Sequence, residues 1–370
     1  MKKLSLITTA ILGLTSATAM AQSSVTLYGI VDAAFVYTSK QPTGATPPAV
    51  GNRTGIEAGQ LATSRWGIRG SEDLGGGMKA NFTLESGIGN DTGTSGGSFG
   101  TPSTASLFER NATVGVSGGF GAVTLGRQNT LAVDAVASVD PIGLSQPGIN
   151  PNISYSALNN AGLFGAFGTN LGGSALRQNN SIRYALPTMS GFSGAAMYGF
   201  GEQAGNQSAN SYFGLVGAFN AGPITASLGF NQLKNATNTD KVTLIGGGVK
   251  YAISNAFAVK ATYTESKLDL APSRKIAVGG VGVDFLVMPA LTLTGAYYNT
   301  KRSGDFNAKA DQLVGKANYA LSKRTSIYAL VTNEKVDSAT QPVSQRVGLI
   351  ATALGESSAN RMAIGVFHSF

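Results

Sequence analysis

The chain has no cysteine and a single histidine, His368, close to the C-terminus. Without thiols an exported protein has neither a disulfide framework nor a thiolate metal site. With one imidazole, Ser-His and Cys-His catalysis and histidine zinc sites have almost no material to work with. Charge is also scarce: Asp, Glu, Lys and Arg make up 12% of the residues, against roughly 25% in ordinary soluble domains. Long hydrophobic runs are missing too. A membrane-crossing helix takes roughly 18–20 consecutive apolar residues, and no segment after the first two dozen approaches that. Most hydrolases and helical membrane proteins are excluded by what is not there.

What is present begins with Met1-Lys2-Lys3, the apolar stretch Leu4 to Leu14, and Ala19-Met20-Ala21. These are the n-region, h-region and A-x-A site of an export leader cut after Ala21. The expected organisation is therefore a leader over 1–21 and one domain over 22–370. Apolar residues are 42% of the chain, enough to rule out disorder. The net charge is +8, or +6 once Lys2 and Lys3 leave with the leader. Lysines and arginines are dispersed and not interleaved with aromatics, so no nucleic-acid platform is expected.

Between leader and C-terminus the dominant signal is period-two alternation broken by glycine-rich turns. In the first segment Val25, Leu27, Val31, Ala33, Phe35 and Tyr37 share one face, and Thr26, Tyr28 and Asp32 the other. Ile30 and Val36 break the sorting by falling with Asp32. Next come Arg65 to Glu72, the turn Asp73 to Gly77, and Met78 to Ser86, where Met78, Ala80, Phe82 and Leu84 alternate with Lys79, Asn81, Thr83 and Glu85. Further strands are predicted near 107–117, 122–128, 179–186, 193–201, 211–220, 223–232, 241–252, 256–267, 273–286, 290–301, 310–320, 325–334 and 360–370. That makes sixteen, an even number suited to antiparallel closure. Short turns, as at Ala221-Gly222-Pro223 and Val287-Met288-Pro289, alternate with longer polar stretches such as 41–63 and 87–106. The pattern predicts an all-β protein: a transmembrane antiparallel β-barrel whose strands, not helices, cross a membrane.

One connection is out of proportion. Residues 128–178 separate the fifth and sixth strands, and a loop that long implies function or packing as an element. A barrel of this size has a water-filled lumen with room for it. A diffusion pore discriminates by size and by the field of the charges that line its narrowest section. The candidate basic wall is Arg65, Arg69, Arg110, Arg127 and Arg183. Arg65 and Arg69 lie opposite Trp66 and Ile68, which gives them lumen parity. Arg110 falls in step with Val114 and Val116 on the lipid face, so its place on the wall requires a bulge. The long loop contains two acids, Asp134 and Asp140, each of which either faces the pore or caps a local turn. Glu85 and Asp32 are inward by parity. Few acids against several arginines predicts a mild anion preference.

These residues carry a family resemblance. S-S-V-T-L-Y-G-I-V-D at 23–32, S-R-W-G-I-R-G-S-E-D-L-G-G-G at 64–77, V-G-V-S-G-G-F-G-A-V-T-L-G-R-Q at 114–128, N-S-I-R-Y at 180–184 and the terminal V-F-H-S-F resemble the general porins of Gram-negative outer membranes. The likeness is to their basic, weakly anion-preferring branch. It implies a sixteen-stranded homotrimer with the third loop folded inward, passive diffusion of small hydrophilic solutes, and no cofactor. It also implies that Arg65 and Arg110 are constriction arginines, and that outer-membrane lipid and lipopolysaccharide surround the barrel. Phe370, with Val366, Ile364 and Met362, matches the terminal strand read by the barrel-assembly machinery.

Competing readings are a substrate-selective channel, an enzymatic barrel and a secreted β-rich adhesin. The first calls for a dense arginine ladder or aromatic slide, the second for a general base other than His368, the third for fixed-length repeats. None is evident. Gly246-Gly247-Gly248-Val249 lacks the lysine and serine of a phosphate cradle and reads as close packing within a strand, at a subunit contact.

Overall fold

The structure, a computed structural model, describes residues 24–44, 49–95, 106–156, 176–269 and 271–370. The expected leader and its cleavage site at Ala21 lie outside the described residues, as do parts of the loops. The strands are β1 (Ser24–Pro42), β2 (Val50–Ala58), β3 (Arg65–Gly75), β4 (Met78–Gly89), β5 (Thr94–Ser95), β6 (Asn111–Gly118), β7 (Gly121–Asn129), β8 (Arg177–Ala185), β9 (Phe192–Gly199), β10 (Tyr212–Ala221), β11 (Ile224–Lys234), β12 (Lys241–Ala252), β13 (Phe257–Leu268), β14 (Arg274–Met288), β15 (Leu291–Gly304), β16 (Ala308–Ala320), β17 (Thr325–Val336) and β18 (Ser358–Ser369). One helix, α1 (Leu131–Ala137), and a π-helical turn at Asn152–Ser156 belong to the long third loop. No helix among the described residues is long and apolar enough to cross a membrane.

All neighbours pair antiparallel, and β1 closes the sheet on β18 with Ile30 opposite Ser369 and Thr38 opposite Arg361. The eighteen segments make a closed barrel of sixteen staves. β2 and β3 occupy successive stretches of the same edge of β1, and β5 is a two-residue ribbon on the end of β4. The stretch 41–63, expected to be a loop, thus contains β2. Its sequence V-G-N-R-T-G-I-E-A has too few apolar residues to show alternation.

Side chains sort as a lipid-facing wall requires. Val25, Leu27, Phe35, Val114, Leu228, Leu313 and Ile364 stand exposed on the outside, and the alternate positions point into the lumen. Tight connections gather at one end, with Gly75, Gly76 and Gly77 all at positive φ in the turn after β3, where a side chain would strain the backbone. The long loops gather at the other end, which by the rule for such barrels faces outward from the cell.

The interior is not uniformly polar, and this accounts for Val36. Ala34, Val36, Tyr328, Leu330 and Ala363 form a buried cluster inside the barrel, with Leu61 packed against it. Leu61 is delivered by residues 59–64, the break between β2 and β3, which Asp32 holds by accepting the Leu61 and Ala62 N–H groups at 2.6 and 2.7 Å. A larger cluster joins Leu131, Ile142 and Tyr155 of the third loop to Tyr212, Leu244, Ile276 and Tyr298 of the wall. The core of this protein is made by loops folding into the barrel mouth. Tyr28 and Tyr298 are inner-wall residues, bonded to Glu85 and Asp140.

Candidate functional site: the narrowed lumen

The third loop is fastened strand by strand around the inner wall. Leu131 N–H donates to the Tyr212 hydroxyl on β10 at 2.9 Å, and Ser227 on β11 donates to the Ala135 carbonyl at 2.7 Å. Lys260 on β13 donates to the Pro141 carbonyl at 3.3 Å, and Lys316 on β16 to the Ile142 carbonyl at 2.7 Å. Thr332 on β17 reaches the Gln146 side chain at 2.7 Å, and Gln146 N–H donates to the Gln60 carbonyl at 2.6 Å. Asp134 on α1 pairs with Arg183 on β8 at 2.8 Å. Among the described residues the loop thus takes its wall partners from β8 and from β10 onward to Gln60, with the inner faces of β3, β4, β6 and β7 across the aperture from them.

Three glycines make room for this. A Cβ on Gly229 of β11 would stand 2.7 Å from the Ala135 Cβ, and one on Gly282 of β14 would stand 2.8 Å from the Pro141 Cβ. A Cβ on Gly248 of β12 would meet Val139 Cγ2 at 3.0 Å. The glycine run at 246–249, expected at a subunit contact, therefore has Gly248 under the loop. Gly229→Leu should push α1 toward the open lumen at a cost of about 1–3 kcal/mol, and single-channel conductance should fall while the barrel still migrates as a compact species on unboiled gels. Conductance equal to wild type would show that the glycine does not set the loop's position.

Across the aperture the arginines come together. Arg65 opens β3, with Nε 3.7 Å from Glu85 on β4, and Arg110 Nε is 2.7 Å from the other Glu85 oxygen. The Tyr28 hydroxyl donates to Glu85 at 3.0 Å, and Arg69 stacks over the Tyr28 ring at 5.0 Å. Arg110 reaches the lumen for a different reason from the bulge expected. β6 begins at Asn111, so Arg110 precedes the strand and its alternation does not apply. The bulge lies instead at Arg127, where the β7–β8 register shifts between Gly126 and Gln128 and Gly126 adopts φ +117°. Arg127 then donates to the Glu109 carbonyl at 2.5 Å and to Asn179.

Two charged members of this group escape the sequence reading. Glu109 is buried, accepting the Gly87 N–H at 3.0 Å. Arg177 is buried at the start of β8, within electrostatic reach of Arg110, Arg127, Glu109 and Glu85. Arg177 sits at the far end of the segment assigned to the loop, where no alternation marks it. Lys260 and Lys316 are legible by parity, since each shares a face with the inward residues of its strand, Thr262 and Thr264 or Gln312 and Val314.

The loop acids diverge. Asp140 is 1% exposed and its carboxylate is committed inside the loop. It accepts from Ile142 N–H at 3.1 Å, Leu144 N–H at 2.8 Å, the Asn150 and Asn152 amides at 3.2 and 2.9 Å, and the Tyr298 hydroxyl at 3.2 Å. It does not line open lumen, and of the two readings left open by the sequence it follows the local turn. Asp134 stays partly buried beside Arg183. Burial pushes its carboxyl above the ordinary aspartate value, and the Arg183 guanidinium pulls it back only in part. As pH falls Asp134 should protonate ahead of a free aspartate, leaving Arg183 uncompensated. Chloride preference should therefore rise on acidification, and Asp134→Asn should show the acid-like permeability ratio already at neutral pH. A variant whose reversal potential matches wild type at every pH would overturn this.

A family model for Gram-negative porins matches residues 8–339. The chain belongs to the Gram-negative porin family. The porin is 34% identical to outer membrane porin protein 32 of Delftia acidovorans over the full length of both chains. It is 28% identical to a major outer membrane protein P.IB of Neisseria meningitidis, covering 83% of this chain and 86% of that one. Among solved structures, an anion-selective porin from Comamonas acidovorans superposes with a TM-score of 0.78 at 29% identity, over 94% of this chain and 100% of the other. The porin is thus an outer-membrane channel for passive diffusion and not an enzyme.

Proposed function

We propose that the porin is a weakly anion-selective, non-specific pore for small hydrophilic solutes, narrowed by the loop over about 128–178. The observation that carries this reading is the charge balance at the aperture. Arg65 and Arg110 share the single Glu85 carboxylate and Arg127 has Glu109 within electrostatic reach, while Asp140 is withdrawn into the loop and Asp134 is matched by Arg183. Guanidinium groups stay charged at any relevant pH, so the excess is permanent. The solved Comamonas acidovorans relative is itself described as anion-selective. No cofactor has a role in such a mechanism.

The rest of the reading follows the family. The leader over 1–21 is removed after Ala21, and residues 22–370 form a single barrel domain. Three copies assemble, surrounded by outer-membrane lipid and lipopolysaccharide. The barrel-assembly machinery reads the last strand through Phe370, whose N–H and carbonyl both bond Gly29 at 3.1 Å across the closing seam. The test is single-channel recording in planar bilayers with the reversal potential taken across a KCl gradient. Openings in threes with chloride preference support the reading. Cation preference would overturn the charge assignment, and closed, properly folded protein would overturn the pore.

A further inference from the structure

On the outer wall, at the long-loop end, lysines face one another across neighbouring strands in three pairs. Lys234 on β11 lies opposite Lys241 on β12, Lys267 on β13 opposite Lys275 on β14, and Lys301 on β15 opposite Lys309 on β16. All six share the parity of outward apolar residues on their strands, such as Leu228, Ile245, Tyr263, Val281, Tyr297 and Leu313. Like charges directly opposite in an antiparallel pair are destabilising. One such pair is unremarkable on a surface, but three in a row on six consecutive strands mark a feature.

The local carboxylates do not cancel it. Asp269 serves Lys241 at 3.7 Å and Lys267 at 3.1 Å, Glu265 pairs with Lys275 at 2.7 Å, and Asp311 with Lys309 at 2.8 Å. Lys234 and Lys301 form no ion pair among the described residues. Six ammonium groups therefore meet three ion-paired carboxylates, with Asp337 a fourth within electrostatic reach of Lys309. Two of the ion-paired carboxylates are held toward the apolar side by tyrosines, Glu265 by the Tyr263 hydroxyl at 3.2 Å and Asp311 by that of Tyr297.

The height of the pairs on the wall identifies their surroundings. On β14 the outward residues from Phe285 to Ala277 carry no charge, and Lys275 comes two residues later. Eight residues at ~3.3 Å each, tilted by ~40°, rise roughly 20 Å, close to the ~25 Å apolar band of such barrels. The lysines stand just beyond that band, where their stems run along apolar surface and their tips reach the headgroup layer. Successive pairs are two strand spacings apart, about 10 Å.

We propose that each opposed lysine pair holds a phosphate of an anionic lipid headgroup in the outward-facing leaflet, fixing lipid along β11–β16. The ammonium groups are point charges suited to phosphate, and a phosphate between them converts the mutual repulsion of each pair into attraction. This rests on the reading of the long-loop end as the outward one, and it is independent of ion selectivity because these side chains lie outside the lumen.

The test uses the full-length porin reconstituted in phosphatidylcholine nanodiscs with or without bis-phosphorylated lipid A, followed by detergent exchange and counting of retained lipid by native mass spectrometry. Wild type should retain lipid A. A variant with all six lysines changed to glutamine should retain at least about tenfold less, with single-channel conductance and reversal potential unchanged. The matching Lys→Arg set, which keeps the charge, should retain it. Equal retention by the glutamine variant overturns the proposal. So does displacement of the lipid by inorganic phosphate at comparable concentration, which would make these free-anion sites. If the glutamine variant fails to form a channel, the arginine set decides: loss of lipid with conductance intact overturns the proposal. Cation preference in wild type would overturn the selectivity reading and leave the lipid result standing.

Discussion

Asp140→Ala should unseat the third loop without opening the barrel. The carboxylate gathers five donors from three parts of the molecule: the Ile142 and Leu144 backbone, the Asn150 and Asn152 side chains, and Tyr298 on the wall. Truncation leaves these buried donors without an acceptor at about 1–3 kcal/mol each where water does not replace it. A net loss on the order of 3–5 kcal/mol is expected at the loop. The barrel does not depend on this node, since its ladder runs unbroken from β1 around to β18. The expected result is protein that still migrates as a compact species unboiled, yet shows noisier open-channel current and higher mean conductance. Tyr298→Phe removes one of the five donors and should reproduce a fraction of the effect. Quiet, wild-type currents from Asp140→Ala would show that the remaining wall contacts, such as Lys316 to Ile142, suffice to hold the loop.

This node also marks where sequence reasoning stops. Strands are legible wherever lipid lies on one side and water on the other, because that contrast writes a period of two. The stretch 241–252 appears as β12 without any shift, and Met78 to Glu85 alternates as expected. Where loops fold inward the contrast disappears. Val36 reads as misplaced because the segment carrying Leu61 covers it, and Tyr298 is buried inside the barrel because the loop carrying Asp140 lies against it. The arginine wall is partly legible: Arg65 and Arg69 by parity, Arg110 and Arg127 only by residue type. A strand start and a bulge place the latter two, and neither is encoded in alternation. Asp134 and Asp140, alike as loop acids, are separated by their surroundings. One meets Arg183 at the aperture and the other the inside of its own loop.

Glu85→Gln and Arg65→Gln should move ion selectivity in opposite directions. Glu85 lies between Arg65 and Arg110, and its charge offsets one of the two. Neutralising it releases the second guanidinium toward the lumen, so chloride preference should grow. Neutralising Arg65 leaves Glu85 matched by Arg110 alone, so the preference should shrink. A unit charge about 5 Å from a permeating ion in water contributes roughly 0.8 kcal/mol, which corresponds to about a fourfold change in relative permeability. Screening sets the conditions. The Debye length is about 10 Å at 0.1 M salt and about 3 Å at 1 M, so both shifts should be larger in dilute KCl and shrink in concentrated KCl. Arg65 is the better partner for this comparison than Arg110, because Arg110 is nearly buried and its loss perturbs packing as well as charge. Measured as reversal potentials at two salt concentrations, shifts of opposite sign that both fade with salt are the signature of fixed charge at the aperture. Shifts of the same sign would point to a changed pore shape, because removing either member of the Arg65–Glu85 pair frees the other to move.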